Sequence, residues 1–344
     1  MNPTPLPPIH LLAQRGAAPY HLRKENPLFK LLSRKLVAFI IILPILHVAG
    51  FNYALVHPRF THIQNFRSSQ LRETDYGAYL QSIFTQGDLG EVGGVAIGSL
   101  LSSALVNTLF LITLAILIAA VGGMLLGFFS ISSRSLSGRR LAVFAITVGS
   151  SLPGFLLGGV IITVLVALLL NGSLLSMPVP FSGCGPDWPI PFGTCGFSKH
   201  LILPLIVLAV RPMLQISKIT VALLEEELVL PHIRAARGRG LLWGRVKWVH
   251  AMRGVLAQVI ATVNQSFRMI VSGALIVEVM FLWPGIGRFL VYSTVANDNL
   301  TSQFRFFAHP QLIASLLVLI GAIILLFDVF STVAIYLVDP RGRE

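Results

Sequence analysis

Long apolar runs alternate with short polar connections along this chain, and each run has the length of a helix that crosses a bilayer. About 20 helical residues span a hydrocarbon layer of about 30 Å. Three of the runs carry no charge: Leu36–Val56, Leu101–Phe129 and Leu141–Leu170. Three others carry one or two charges: Leu201–Leu224, Gly254–Leu282 and Leu312–Val338. The pattern predicts an all-α polytopic membrane protein with six transmembrane helices.

Composition and charge narrow the class of protein further. Hydrophobic residues make up 54% of the 344 residues and charged residues 12%, with a mean hydropathy of +0.78. A soluble core cannot use that much apolar surface. The formal net charge is +12, but the basic residues follow the connections between spans. Their placement indicates membrane topology, and no soluble basic surface for nucleic acid is present in the pattern.

The distribution of lysine and arginine predicts which connections face the cytoplasm. With the N-terminus inside, eighteen of the 26 basic residues fall on the cytoplasmic side and six fall outside, while Arg211 and Arg268 lie within spans. The positive-inside rule therefore predicts that both termini are cytoplasmic.

The spans divide the chain into a membrane domain and two tails. Residues 1–35 form a cytoplasmic N-terminal tail without a cleavable signal, residues 36–338 the membrane domain and residues 339–344 a cytoplasmic C-terminal tail. The main connections of the membrane domain are an external segment at 57–100, an external loop at 171–200 and a cytoplasmic loop at 225–253. The external segment has room for a short amphipathic helix near Tyr76–Phe84 and could contact an external partner.

The cytoplasmic loop at 225–253 predicts a helix, a turn and a second helix on the membrane surface. Proline at the first helical position loses only an N–H that has no partner, so Pro231 predicts a short helix from Pro231 to Arg237. Gly238 and Gly240 permit the left-handed geometry of a helix exit. The helix is expected to restart over Leu241 to His250.

Two interpretations of this loop stay open on composition alone. It can be an ordinary basic cytoplasmic loop, or a helix that docks on another protein. Ala235 and Ala236 leave the first helix thin enough for close approach, while Arg234, Arg237 and Arg239 give it a cationic surface.

The order of short motifs favours docking, because it resembles one transporter family. Arg234-Ala235-Ala236, followed by Gly240, resembles the "EAA" loop of permease subunits of ATP-binding-cassette importers, with Arg in place of the usual first Glu. Further motifs match the dipeptide, oligopeptide and nickel importer permeases in the same order: Gly87-Asp88-Leu89-Gly90, the run from Ser150 to Phe155, His250-Ala251-Met252-Arg253, the run from Val277 to Arg288, and Asp339-Pro340-Arg341.

The resemblance implies a fold, partners and a location. The fold is that of an ABC importer permease in the bacterial or archaeal plasma membrane. The implied partners are a second permease subunit, two ABC ATPase subunits and an external solute-binding protein. This chain would bind no cofactor, with ATP and Mg²⁺ held by the ATPase subunits. Residues expected to contact the ATPase are Glu226, Pro231, Arg234, Ala235, Ala236, Arg237 and Gly240.

Four charges within the spans require an explanation, because each costs several kcal/mol in hydrocarbon unless it is paired or hydrated. Glu278 and Asp328 match acidic positions of the family, which implies a structural role for them. Arg211 and Arg268 either pair with these two carboxylates or line the solute pathway and contact cargo.

Two cysteines, Cys184 and Cys195, lie in the loop predicted to be external. They can form a disulfide there, or remain as two thiols. Histidine partners at ligand spacing are lacking, so no metal site is expected. His47, in the first span, is expected to be a packed or hydrogen-bonded helix residue.

No phosphate-binding G-x-x-x-x-G-K-[ST] motif and no H-E-x-x-H motif occur in the sequence. ATP hydrolysis is therefore assigned to a separate subunit, and a membrane-embedded enzyme has no catalytic constellation to support it. The chain is expected to translocate peptides, or a related small solute, by alternating access driven by ATP. The alternative is a secondary transporter that uses Arg211, Arg268, Glu278 and Asp328 as an ion relay.

Overall fold

The fold is seen in a computed structural model that describes residues 27–56, 75–92, 95–132, 136–170, 199–294 and 309–338. Helices dominate. Before the middle of the chain these are α1 Pro27–Val56, α2 Tyr76–Gln86, α3 Ile97–Ser132, α4 Leu136–Ser151 and α5 Gly154–Leu170. After a short 3-10 turn at Lys199–Leu201 come α6 Ile202–Glu227, α7 Pro231–Gly238, α8 Trp243–Arg245, a π-helical turn Val246–Ala251, α9 Met252–Met280, α10 Ile286–Thr294 and α11 Pro310–Val338.

Among the described residues, five helices are long and apolar enough to cross a membrane: α1, α3, α6, α11, and α9 with the turns before it. A sixth apolar segment consists of α4 and α5, which are bent by 94° at a short break. The break falls at Leu152 and Pro153, because a residue before proline is disfavoured in helical geometry and proline lacks an N–H. The run 141–170, predicted as one continuous span, is thus two helices. The side on which the termini lie stays a prediction.

The centre of the structure is the packing of α3 against α6, with α9 beside both. Glycine makes this contact close. A Cβ atom on Gly123 would lie 2.7 Å from the carbonyl oxygen of Met213, and one on Gly127 would lie 2.9 Å from that of Ser217. Small residues at such positions let helix backbones approach, which is how helices gain contact inside a membrane.

The first and last long helices form a second layer, in which α1 packs along α11. A Cβ atom on Gly50 would lie 2.8 Å from the Cα of Ala314. His47 lies in the same layer, where its Nδ1 is 2.9 Å from the Tyr76 hydroxyl and its ring stacks on Tyr79. His47 is therefore a packed and hydrogen-bonded helix residue.

The segment that follows α1 carries a helix and a small hairpin. Asp75 caps α2 by accepting a hydrogen bond from the Gly77 amide at 3.0 Å. After α2, β1 (Glu91–Val92) pairs with β2 (Val95–Ala96) in antiparallel register. The short helix was predicted near this position, whereas two strands of two residues each are too short to leave a periodic signal.

Candidate functional site

A surface helix, α7, lies between the long helices α6 and α9. Leu230 is extended and Pro231 occupies the first helical position, so the sequence starts a new helix without losing a backbone hydrogen bond. The helix extends to Gly238, one residue beyond the predicted Pro231–Arg237. The predicted short helix is therefore present in the predicted place.

One face of α7 is anchored on the helix bundle and the other is exposed. Ile233 is fully buried and Ala236 is 8% exposed, whereas Arg234, Ala235 and Arg237 are exposed. Of the two alanines expected on the open surface, only Ala235 is there. Ala236 contacts the bundle instead, because it follows Ile233 by three positions and shares its helix face.

The exposed face is held in a defined orientation by contacts at both ends of α7. The Arg234 Nε donates to the carbonyl oxygen of Val229 at 3.2 Å. At the other end, the Arg237 guanidinium lies 4.5 Å from the centre of the Trp243 ring, a distance at which a cation is attracted to the aromatic face. Arg234 and Arg237 therefore belong to an ordered cationic surface.

Gly240, and not Gly238, supplies the left-handed turn after α7. Its φ is +78°, while Gly238 is the last residue of the helix. The helix then restarts at Trp243 and not at Leu241, and a π-helical turn over Val246–Ala251 leads into α9.

Acidic residues at the end of α6 have three different environments. Glu225 forms an ion pair with Arg139 of α4. Glu227 lies 3.1 Å from the Nε2 of His232, which joins the end of α6 to the start of α7. Glu226 is exposed. Glu225 is exposed as well, with 45% of its side chain accessible, so the contact of Glu226 with a partner stays a prediction.

Asp328 joins three helices within the predicted membrane region. Its Oδ1 accepts from the Arg268 Nη2 at 3.1 Å and from the Asn264 Nδ2 at 3.4 Å, both on α9. Its Oδ2 pairs with Lys35 of α1. Arg268 thus pairs with Asp328, one of the two carboxylates that the sequence offered as its partner. Lys35 lies inside α1, although the sequence placed it at the end of the N-terminal tail.

Glu278 is fully buried, and no lysine, arginine or histidine of the described residues forms an ion pair with it. Its Oε1 accepts from the Thr108 hydroxyl at 2.7 Å and its Oε2 from the Gly287 amide at 2.6 Å. The pairing of Glu278 with Arg211 or Arg268, one alternative from the sequence, is absent from the structure. Neutral donors satisfy this carboxyl group instead.

The turn after α9 is tied to α3 by the same polar cluster. Asn107 donates from its side chain to the Pro284 carbonyl at 3.0 Å, and its own carbonyl accepts from the Trp283 indole at 3.2 Å. Thr108 also accepts from the Ile286 amide at 2.8 Å. Sequence reasoning missed Asn107 and Thr108; the one available signal was a polar pair inside the apolar run Leu101–Phe129.

Arg211 lies in the middle of α6 at a cavity of about 190 Å³. Its Nε is buried and has no hydrogen-bond partner. Within the described part of the chain, no carboxylate is within ion-pair distance of Arg211. The predicted ion pair between Arg211 and an intramembrane carboxylate is therefore not seen among the described residues. Cys184 and Cys195 fall outside the described residues, so their bridge stays a prediction.

Comparison with known proteins supports one family. Over 146 residues the chain is 34% identical to a dipeptide transport system permease protein of Haemophilus influenzae, covering 42% of this chain and 40% of that protein. It is 33% identical over the same length to a di/tripeptide transport system permease protein of Pseudomonas aeruginosa, again 40% of which is covered. These two matches span less than half the length of the relatives.

A longer match is to an oligopeptide transport system permease protein of Bacillus subtilis, 26% identical over 276 residues, which cover 79% of this chain and 81% of that protein. Residues 119–344 match the family described as binding-protein-dependent transport system inner membrane component. That match covers most of the chain, including the α7 surface helix and all four intramembrane charges, and the chain belongs to this family of multi-pass bacterial inner membrane proteins.

Proposed function

We propose that this chain is the membrane-spanning permease subunit of an ATP-driven importer that carries peptides. Its family is that of transport components that depend on a binding protein. Three similar proteins are named as dipeptide, di/tripeptide and oligopeptide permeases. The chain would act as a transport subunit, with ATP and Mg²⁺ bound by separate ATPase subunits.

The observation that carries this proposal is the construction of α7. Ile233 and Ala236 fix the helix to the bundle, while Ala235, between two exposed arginines, leaves a low, cationic surface open. Residues 228–230 join the end of α6 to this helix, and α8 with the π-helical turn joins it to α9. A force applied to α7 would therefore reach two long helices through a short, ordered connection.

The proposed mechanism is alternating access. Two ATPase subunits dock on this chain and on a second permease subunit. Closure of the ATPase pair displaces α7, and the rigid movement of α6 and α9 opens the pathway toward an external solute-binding protein. On the side predicted to be external, Asp75, Asp88 and Glu91 are exposed around α2 and the hairpin, where they can contact that protein.

The arrangement of the intramembrane charges disfavours an ion-driven secondary transporter. Asp328 is bound by Lys35 and Arg268, while Glu278 is enclosed by neutral donors from α3 and the turn after α9. Among the described residues these carboxyl groups belong to two separate networks, and Arg211 is in neither. An ion relay needs neighbouring sites that exchange a proton or ion, so we favour the ATP-driven permease.

The decisive experiment changes the exposed face of α7 without touching its anchor. Ala235→Glu places a carboxylate on the docking surface, and Ala78→Glu, at an exposed position of α2 on the other predicted side, is the matched control. In the assembled transporter, Ala235→Glu should abolish ATP-dependent peptide uptake and substrate-stimulated ATPase activity. Ala78→Glu should keep the ATPase subunits bound. Normal coupling in Ala235→Glu, or uptake by the isolated chain driven by an ion gradient, would refute the proposal.

A further inference from the structure

We propose that the cavity beside Arg211 is a subsite for the carboxylate terminus of a peptide, an inference that rests on the proposed function. The cavity lies between α5, α6 and α9, and its wall includes Gly154, Phe155, Arg211 and Ser272. Apart from the guanidinium and the Ser272 hydroxyl, the residues around it are mainly apolar. The site therefore presents one fixed positive charge in an apolar wall.

The charge of Arg211 is not compensated within the described part of the chain. A guanidinium keeps its positive charge at neutral pH, and a charge at the depth of a membrane is unfavourable unless a partner or water meets it. Its buried Nε lacks a hydrogen-bond partner, while Arg268 already pairs with Asp328. Of the two intramembrane arginines, Arg211 is thus the one available to an anion.

The break between α4 and α5 adds a second attraction for an anion at the same place. Helix α5 has 17 residues and begins at Gly154, and its first two residues line the cavity. The N-terminal end of a helix carries a partial positive charge. A planar carboxylate next to Arg211 would interact with the guanidinium fork and with this helix end together.

Size decides which part of a peptide can enter. Pockets that enclose whole small ligands have volumes of roughly 300–1,000 Å³, so about 190 Å³ admits an end group and not an entire peptide. A larger apolar groove of about 720 Å³ adjoins the cavity, and Phe155 and Ile276 line both. The groove follows α5 to Val164, toward the loop predicted to be external. A peptide could thus place its carboxylate at Arg211 and its apolar side chains in the groove.

The first test compares uptake of one peptide as free acid and as C-terminal amide by the assembled transporter. We expect Arg211→Gln to reduce uptake of the free acid by roughly tenfold to a hundredfold, the effect of losing a charge-assisted hydrogen bond, with little change for the amide. Arg211→Lys, which keeps the charge and loses the planar fork, should fall between. Arg268→Gln is the matched control and should leave the ratio of acid to amide uptake as in the unchanged transporter.

The outcomes of that test separate the subsite from the proposed function. If the unchanged transporter takes up neither form in an ATP-dependent way, the proposed function fails. If it takes up both, and Arg211→Gln lowers them equally in correctly assembled protein, only the subsite fails. Loss of the second permease subunit from Arg211→Gln preparations would show that a carboxylate of that subunit fills the cavity, which also overturns the proposal.

A second measurement keeps Arg211 in place and does not depend on transport rates. Ser272, at the cavity wall, is changed to Cys in a chain that carries Cys184→Ser and Cys195→Ser, and its reaction with a small thiol reagent is followed. The free-acid peptide should slow labelling, and the amide should not. Equal protection by both forms would refute the subsite. Protection by phosphatidylglycerol vesicles, but not by phosphatidylcholine vesicles, would assign the cavity to a lipid phosphate instead.

Discussion

The Thr108 hydroxyl donates a hydrogen bond to the Glu278 carboxyl group at 2.7 Å and accepts one from the Ile286 amide at 2.8 Å. One side chain of α3 therefore binds both the last turn of α9 and the first residue of α10. Because Glu278 is fully buried, water cannot replace a lost partner. We infer that this contact fixes the turn between α9 and α10.

Removal of the Thr108 hydroxyl should therefore destabilise the protein. Thr108→Val keeps the shape of the side chain but leaves a buried acceptor and a buried donor unsatisfied, at a cost of about 1–3 kcal/mol. Thr262→Val is the control, since its hydroxyl bonds only to the Gln258 carbonyl of its own helix. Thermal unfolding of purified protein in detergent should show a lower melting temperature for Thr108→Val than for the control. Equal melting temperatures would contradict a structural role for the contact.

Close packing around the same carboxyl group predicts a strong effect at Gly287. A Cβ atom there would lie 2.5 Å from the Leu275 Cα and 2.9 Å from the Glu278 Oε2. Forcing an extra atom into a packed interior costs about 1–3 kcal/mol, so Gly287→Ala should lower the melting temperature.

Gly159→Ala is the matched control for this substitution, because no atom lies within 4 Å of a Cβ at Gly159 and alanine is the better helix former. It should melt at the same or a higher temperature than the unchanged protein. If Gly287→Ala were tolerated as well as Gly159→Ala, the close approach of α9 and α10 would be wrong.

Asp328 should be needed for the stability of the folded protein, because its carboxylate pairs with two cationic side chains. Asp328→Asn leaves Lys35 and Arg268 without their carboxylate, and we expect a loss of about 1–3 kcal/mol, less than for a fully buried pair because the Lys35 and Arg268 side chains are 31% and 61% exposed. Adding Lys35→Met to Asp328→Asn should restore part of the loss, as measured by thermal unfolding. Additive destabilisation by the two changes would show that they do not interact.

The sequence predicted the helices of this fold better than the contacts between them. The apolar runs located every long apolar segment in the described part of the chain, because about 20 apolar residues in a row have few other uses. Pro231 located α7 to within one residue at its C-terminal end. The bend after Ser151 was missed, because a Leu-Pro-Gly break inside an apolar run does not change its composition.

The partners of the intramembrane charges could not be predicted from local patterns. Asp328 meets Lys35 of α1, almost at the other end of the chain, and Glu278 meets Thr108 of α3. Such contacts depend on which helices become neighbours and at what rotation, and a single sequence does not encode these in its periodicity. Ala236 was expected on the open surface but is buried for a similar reason. It shares a helix face with Ile233, and that face packs on the bundle.

The membrane orientation and the pair of cysteines can be tested together. The positive-inside rule places the loop with Cys184 and Cys195 on the outer side, where oxidising conditions favour a disulfide. In intact cells, a membrane-impermeant thiol reagent should not label the chain until a reductant is added, because both sulfurs would be bonded to each other. A chain with Cys184→Ser should be labelled at Cys195 without reductant. Labelling of the unchanged chain without reductant would refute the bridge, and labelling of Cys184→Ser only after permeabilisation would reverse the predicted orientation of this loop.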